Sequence, residues 1–239
     1  MQDINELKKL AGEKAAEQVE DGMIVGLGTG STVEYTLRKL GKMVKEGLEI
    51  QGIPTSIHTK RIAKEENIPL TSLDEHPEID ITIDGADEVD SHLNLIKGGG
   101  GALTREKIIA FNSKKVIIVV DDSKVVKCLG IDFPLPVEVV KFGWQATKRS
   151  LEQFGWQPAA ERREEVACTV ELREIMQGEP YITDNGNYIL DCDFQRIDKP
   201  EELELAMNSV PGVVETGLFI GIADEVIVGG KQGILTLDR

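Results

Sequence analysis

Four short stretches of this chain place chemically able side chains beside glycines or at the ends of apolar runs. In Gly26-Leu27-Gly28-Thr29-Gly30-Ser31-Thr32, an apolar run from Met23 to Leu27 passes into a helical stretch from about Ser31 to Lys45. Bare backbone N–H groups at such a turn can approach an anion, and the helix N-terminus adds a favourable dipole. Ser31 and Thr32 add hydroxyl donors. The same residues also read as a tight turn in which Ser31 or Thr32 caps the helix. A dinucleotide fingerprint fails on spacing, because Ser31 stands where G-x-G-x-x-G needs its third glycine. No Gly-Lys-Ser/Thr is present for a Walker loop.

Asp84-Gly85-Ala86-Asp87-Glu88 packs three acids into five residues at the end of an apolar run, Ile79 to Ile83. Carboxylates at that density can bind a metal, bind sugar hydroxyls or move protons, or form an acidic turn at a sheet edge. A metal site calls for more ligands at matching spacing. Lys97-Gly98-Gly99-Gly100-Gly101 lies between an apolar strand and an apolar helix. Four glycines carry a high conformational entropy cost, so they mark a linker or a ligand lying against bare backbone; the short apolar setting favours the ligand. Glu106 follows in the first turns of the helix, where a dipole partner or a salt bridge to Arg105 or Lys107 is the ordinary role. Lys124 comes after Asp121-Asp122-Ser123 at another strand end. His58, His76 and His92 match no metal or triad spacing.

Elements that position these residues follow from periodicity. Asp3 and Glu6 resemble a capping box ahead of a helix carrying Leu7, Ala11 and Ala15 on one face. Strands at about 23–27, 50–53, 79–83 and 115–120 alternate with helices at 31–45, 58–67 and 102–111, which predicts a parallel sheet covered on both faces. Ligands of such sheets sit at strand carboxyl ends. The pattern changes after about residue 131: a strand at 137–140, a helix at 144–154, a hairpin around Asn185-Gly186 pairing 181–183 with 188–190, and a helix at 201–208 predict a small α+β unit. Val213 to Phe219 and Glu225 to Val228 are expected to rejoin the first sheet. Glu161 to Glu165 reads as a solvated loop. The expected domains are 1–131 plus 209–239, and 132–208.

The chain has 239 residues and a formal net charge of −15. That charge repels nucleic acid and anionic membrane, so neither is an expected partner. Three cysteines without CxxC spacing argue against a disulfide framework or structural zinc and fit a reducing cytoplasm. No leader is legible at the N-terminus, and the longest strongly apolar run, Val116 to Val120, is far short of a membrane span.

Taken in order, these segments resemble ribose-5-phosphate isomerase of the A type. Further stretches carry the likeness: Thr104-Arg105-Glu106-Lys107, Asp122-Ser123-Lys124, Phe133 to Val139, Thr183-Asp184-Asn185-Gly186-Asn187, and Pro211 to Phe219. The resemblance implies a doubly wound, Rossmann-like first domain with a smaller ferredoxin-like domain, a homodimer or homotetramer, a sugar-phosphate substrate, and no cofactor; no metal is expected either, because the residues offer no convincing ligand set. It places the catalytic carboxylate on Glu106. Its substrate-binding positions fall on Thr29, Gly30, Ser31 and Thr32; on Asp84, Gly85, Ala86 and Asp87; on Lys97, Gly98, Gly99 and Gly100; and on Lys124. The stretch from about Ala160 to Gly178 looks inserted relative to shorter members.

Such an isomerisation would use Glu106 as carbon base, Asp84 to relay hydroxyl protons, Lys97 and glycine N–H groups to steady an enediolate, and Asp87 to hold hydroxyls. The phosphate would go to the 29–32 loop or to Lys124; the sequence leaves that division open. Rival readings are a glucosamine 6-phosphate deaminase or acyl-CoA transferase on a related fold, and a sugar-phosphate sensor coupled to DNA, which the charge disfavours.

Overall fold

In the computed structural model, residues 3–155 and 168–239 are described. The acidic stretch at 161–165 lies outside them. The elements run α1 (Ile4–Ala16), β1 (Ile24–Leu27), α2 (Val33–Lys45), β2 (Gln51–Pro54), α3 (Ile57–Glu65), β3 (Ile81–Asp84), β4 (Glu88–Val89), β5 (Leu95–Ile96), α4 (Leu103–Phe111) and β6 (Val116–Asp121). Then come β7 (Leu135–Val139), α5 (Trp144–Glu152), β8 (Thr169–Leu172), β9 (Glu174–Met176), β10 (Glu179–Pro180), β11 (Tyr188–Asp193), α6 (Pro200–Asn208), β12 (Val213–Thr216), β13 (Leu218–Phe219), β14 (Glu225–Gly230) and β15 (Gly233–Asp238). A 3-10 turn, Asp122–Lys124, follows β6, and another, Gln153–Gly155, follows α5.

One compact unit comprises Met1–Ala86, Arg105–Val125 and Gly221–Arg239. Its sheet has the order β15-β14-β6-β3-β1-β2. The strands from β14 to β2 are parallel, and β15 is an antiparallel edge. Alternation along the strands gives the sheet two apolar faces. Val25, Leu27, Ile81, Ile83, Ile117 and Val119 pack with Ala11 and Ala15 of α1 and with Leu37 and Leu40 of α2. Ile24 and Ile53 pack instead with Ile109 of α4. Helices therefore cover both faces, and the arrangement is the doubly wound α/β sheet that the alternation predicts. From β1 the chain first adds β2 on one side and then β3 on the other, so the topological switch point lies between β1 and β3.

The other unit comprises Asp87–Thr104 and Val126–Ile220. Its four-stranded antiparallel sheet has the order β12-β7-β11-β8. With α5 between β7 and β8, and α6 between β11 and β12, it is two β-α-β halves in ferredoxin-like order. Val137, Val139, Leu190 and Cys192 form its core with Leu151, Leu203 and Met207. A three-stranded sheet, β13-β5-β4, belongs to the same unit. The three cysteines are free.

Two expectations are corrected. Asn185-Gly186 does sit in a turn, with Gly186 N–H donating to Thr183 O at 2.9 Å. The preceding residues 181–183, however, do not pair with β11, whose two edges are occupied by β7 and β8. Thr183, Asn185 and Asn187 turn their side chains onto Glu138 of β7 instead. Of the strands expected to rejoin the first sheet, β14 does so beside β6, but β12 pairs with β7 and β13 with β5. Part of the stretch read as an insertion is ordered as β8 and β9.

Candidate active site

In the first unit, β1, β3 and β6 are adjacent parallel strands, so their carboxyl ends come side by side. These ends carry the Gly28–Thr32 loop, Asp84 to Ala86, and the 3-10 turn with Lys124. The first two meet directly. Asp84, 1% exposed, accepts through Oδ1 from Thr29 N–H at 3.0 Å and Gly85 N–H at 2.8 Å. A side chain at Gly28 would collide with that carboxylate, which explains a glycine there. Asp121 Oδ1 accepts from Ser123 N–H at 3.1 Å and shapes the turn that presents Lys124.

The hydroxyls of the loop divide. Thr29 Oγ1 lies 2.7 Å from Thr55 Oγ1, 2.8 Å from Ser56 Oγ and 2.9 Å from Thr59 Oγ1, so its side chain braces the loop. Thr32 heads α2 without a side-chain capping bond. Exposed Ser31 takes a different partner, Lys8, whose Nζ donates to Ser31 Oγ at 2.9 Å. Gly12 makes this approach of α1 to α2 close: Thr36 Oγ1 donates to Gly12 O at 3.0 Å, and a Cβ on Gly12 would lie 2.8 Å from Thr32 O. Lys8 is one helical turn from Gly12. Sequence reasoning missed it because the contact joins residues 23 positions apart.

Glu106 is 4% exposed, in the first turn of α4. Asn112 O, just past that helix, accepts from Ile79 N–H at 2.9 Å ahead of β3. The C-terminus of α4 therefore lies at the amino edge of the sheet, and its first turn points toward the carboxyl edge. Ile109 covers Gly26 of β1, where an added Cβ would lie 2.8 Å from Ile109 Cγ2. Glu106 is three residues nearer the helix start, about 4.5 Å further along. Within this unit, Glu106, Asp84, the 28–32 loop, Lys8 and Lys124 thus share the carboxyl edge.

The second unit groups the remaining candidates. Asp87 Oδ2 accepts from Gly99 N–H at 2.8 Å. Lys97, 3% exposed, is held by its N–H to Gly217 O at 2.8 Å, and its Nζ lies 5.5 Å from the Phe219 ring centroid. Carbonyls of the glycine run are also bound: Arg173 donates to Gly98 O, and Tyr181 to Gly100 O. A side chain at Gly101, where φ is +76°, would run into the Tyr181 ring. The third acid of the cluster has another task. Buried Glu88 accepts from the N–H groups of Gly130, Asp132 and Phe133 at 2.6, 2.8 and 2.8 Å, and burial pushes its carboxyl above the ordinary value despite those bonds. It secures the 130–133 loop.

Among the described residues, no three His, Cys, Asp or Glu side chains cluster so as to hold a metal ion. No described helix is long and apolar enough to cross a membrane.

Residues 51–233 match the family described as ribose 5-phosphate isomerase A (phosphoriboisomerase A). The chain is similar to ribose-5-phosphate isomerase A 1 of Oceanobacillus iheyensis, with 51% identity over 98% of this chain and 99% of the relative. It is 50% identical to ribose-5-phosphate isomerase A of Bacillus mycoides, over 95% and 97% of the two chains. Among solved structures, a D-ribose-5-phosphate isomerase in complex with phospho-erythronic acid superposes with a TM-score of 0.91 at 43% identity, covering 99% of this chain and all of that one. Ribose 5-phosphate isomerase A of Methanocaldococcus jannaschii gives a TM-score of 0.90 at 42% identity, with the same coverage.

Proposed function

The chain belongs to the ribose 5-phosphate isomerase A family, and on that premise we propose that it interconverts D-ribose 5-phosphate and D-ribulose 5-phosphate through a cis-enediolate. The observation that carries the reading is the buried Glu106 at the same sheet edge as Asp84 and the 28–32 loop. A carboxylate serving only to pair with a surface cation gains little from burial, whereas a carbon base works best shielded from water.

In the forward direction Glu106 removes the proton from C2 of the open-chain aldose and returns it to C1. Asp84 relays the hydroxyl proton between O1 and O2. Negative charge on the enediolate oxygens is met by Lys97 and by backbone N–H of the glycine run. Asp87 holds sugar hydroxyls. The 29–32 loop binds the phosphate with its N–H groups and Ser31 and Thr32 hydroxyls, assisted by Lys8 and Lys124. The phospho-erythronic acid bound to a solved relative supports this scheme, since a phosphorylated aldonate carries a planar anion next to a hydroxyl, as an enediolate does. The assembly is proposed to be a homodimer or homotetramer.

The test is turnover of ribose 5-phosphate by purified protein in EDTA, with unphosphorylated ribose and glucosamine 6-phosphate in parallel. Ketose should form from ribose 5-phosphate and hardly at all from ribose. Ammonia release from glucosamine 6-phosphate without ribose 5-phosphate turnover would replace the proposal by the deaminase reading. A loss of activity in EDTA that a divalent ion restores would overturn the metal-free mechanism.

A further inference from the structure

We infer that Arg173 is a positioning residue of this reaction, acting by turning the peptide planes of the glycine run so that a backbone N–H faces the substrate. The inference rests on the proposed isomerase reading and adds a residue outside the segments that suggested it. Arg173 lies between β8 and β9, in the stretch that the sequence presents as an insertion. Its side chain is 15% exposed and engaged on both sides. Nε and Nη2 form a fork on the two oxygens of Asp191, at 2.9 and 2.5 Å. Nη1 donates to Gly98 O at 2.7 Å and to Gly99 O at 3.2 Å. Tyr181, whose N–H donates to Arg173 O at 2.8 Å, adds its hydroxyl to Gly100 O at 3.2 Å.

Three consecutive carbonyls are therefore drawn toward one wall built from Arg173 and Tyr181. The peptides of the run are trans, with no cis bond among the described residues, so the C=O and N–H of each point in opposite directions. Holding Gly99 O on Arg173 turns the Gly100 N–H away from the wall. The neighbouring donors already have partners: Gly99 N–H is on Asp87, and Gly101 N–H is on Gly98 O at 3.0 Å. Gly100 is exposed, and its N–H makes no hydrogen bond among the described residues. A cation on the carbonyl end of that peptide also polarises it, making the N–H a better donor to a developing oxyanion. The Asp191 fork orients the guanidinium, and a lysine at 173 has no second arm with which to keep both the carboxylate and the carbonyls.

The experiment compares wild type, Arg173→Ala, Arg173→Lys and Tyr181→Phe for kcat and KM on ribose 5-phosphate and for melting temperature. Wild-type turnover establishes the underlying reaction, so its absence sinks the isomerase reading itself. With wild type active, Arg173→Ala should lose roughly tenfold or more in kcat, with KM changed by less than about threefold. Dilute guanidinium ion, well below denaturing concentration, should restore part of that kcat and do nothing for wild type. Arg173→Lys should fall between the two, and Tyr181→Phe should show a smaller kcat loss of the same kind. A folded Arg173→Ala with kcat within about twofold of wild type overturns the inference. So does a loss confined to KM or melting temperature that guanidinium leaves untouched. Should Arg173→Ala fail to fold, Arg173→Lys and Tyr181→Phe decide: normal kcat in both overturns it.

Discussion

Thr104 Oγ1 donates a 2.6 Å hydrogen bond to Glu138 Oε2. Glu138 is fully buried, and its other oxygen accepts from Thr183 Oγ1 at 2.9 Å, Asn185 Nδ2 at 3.1 Å and Asn187 Nδ2 at 2.8 Å. Three separate segments thus converge on one carboxylate: the start of α4, β7, and the 183–187 turn. Removing a buried carboxylate from such a network leaves several donors without an acceptor. Glu138→Ala should cost about 3 kcal/mol or more, lowering the melting temperature by roughly 6–12 °C for a chain of this size. Thermal unfolding checks this, and a shift under about 2 °C would show the network to be dispensable.

Glu106→Gln should fold, bind substrate and turn over very slowly. Glutamine keeps the shape and most hydrogen bonding of glutamate but cannot take a proton from carbon. A positioned general base is worth roughly 10²–10⁴-fold, so kcat should fall by at least that range while KM moves far less. Deuterium exchange at C2 of ribose 5-phosphate in heavy water should vanish with it. A stable variant retaining more than about a tenth of normal kcat removes Glu106 from the role and makes Asp84 the next candidate.

Lys8→Met should raise KM for ribose 5-phosphate clearly and lower kcat less, because the phosphate is remote from the reacting carbons. Ser31→Ala combined with Thr32→Ala should act in the same direction. The Lys8 effect should shrink as ionic strength rises, since a partly exposed cation is screened. Unchanged kinetics in Lys8→Met would leave the Lys8–Ser31 bond as a link between two helices and nothing more.

Asp80 gives a pH signature. Its carboxylate accepts from Lys114 Nζ at 2.8 Å and from Ile24 N–H at 2.9 Å, and these two bonds hold it below its ordinary 3.8. A depressed acid contributes stability above the unfolded-state value, and that contribution is lost as pH falls through the folded-state value. Asp80→Asn keeps an acceptor for Ile24 but loses the charge. Wild type should therefore exceed it by up to about 1 kcal/mol near neutrality. The gap should close below pH 3.8. Denaturant unfolding at several pH values would expose a gap that stays constant, which is the contrary result.

Local signals were enough for the parallel sheet and its loops. β1, β3 and β6 are short apolar runs ending in glycines or acids, so both the strands and the carboxyl-end location of Asp84 and the 28–32 loop could be read directly. What failed was pairing. Asn185-Gly186 looks like a hairpin turn because turn chemistry is local, whereas the choice of β7 and β8 as partners of β11 is made by burial across the sheet. Lys8, Glu138 and Arg173 were invisible for the same reason. Each meets its partners only after the fold has closed gaps of 23, 34 and 75 residues. A lysine, a glutamate and an arginine in unremarkable surroundings carry no mark of that in one dimension.

The place of β14 bears on how a ribosome must deliver this protein. All six residues of β6 are buried, and β14 covers the edge of that strand that β3 does not. Val116 N–H, at the head of β6, is closed by Asp224 from 108 positions later. At translation rates of about 5–20 residues per second, a nascent chain displays an open edge on this strand, beside the apolar run Val116 to Val120, for on the order of 5–20 s before its cover emerges. During that interval the edge is a template for any other extended segment. Chains stalled or truncated before residue 225 keep it open, so they are the species that chaperones must shield and the first to aggregate when translation is interrupted.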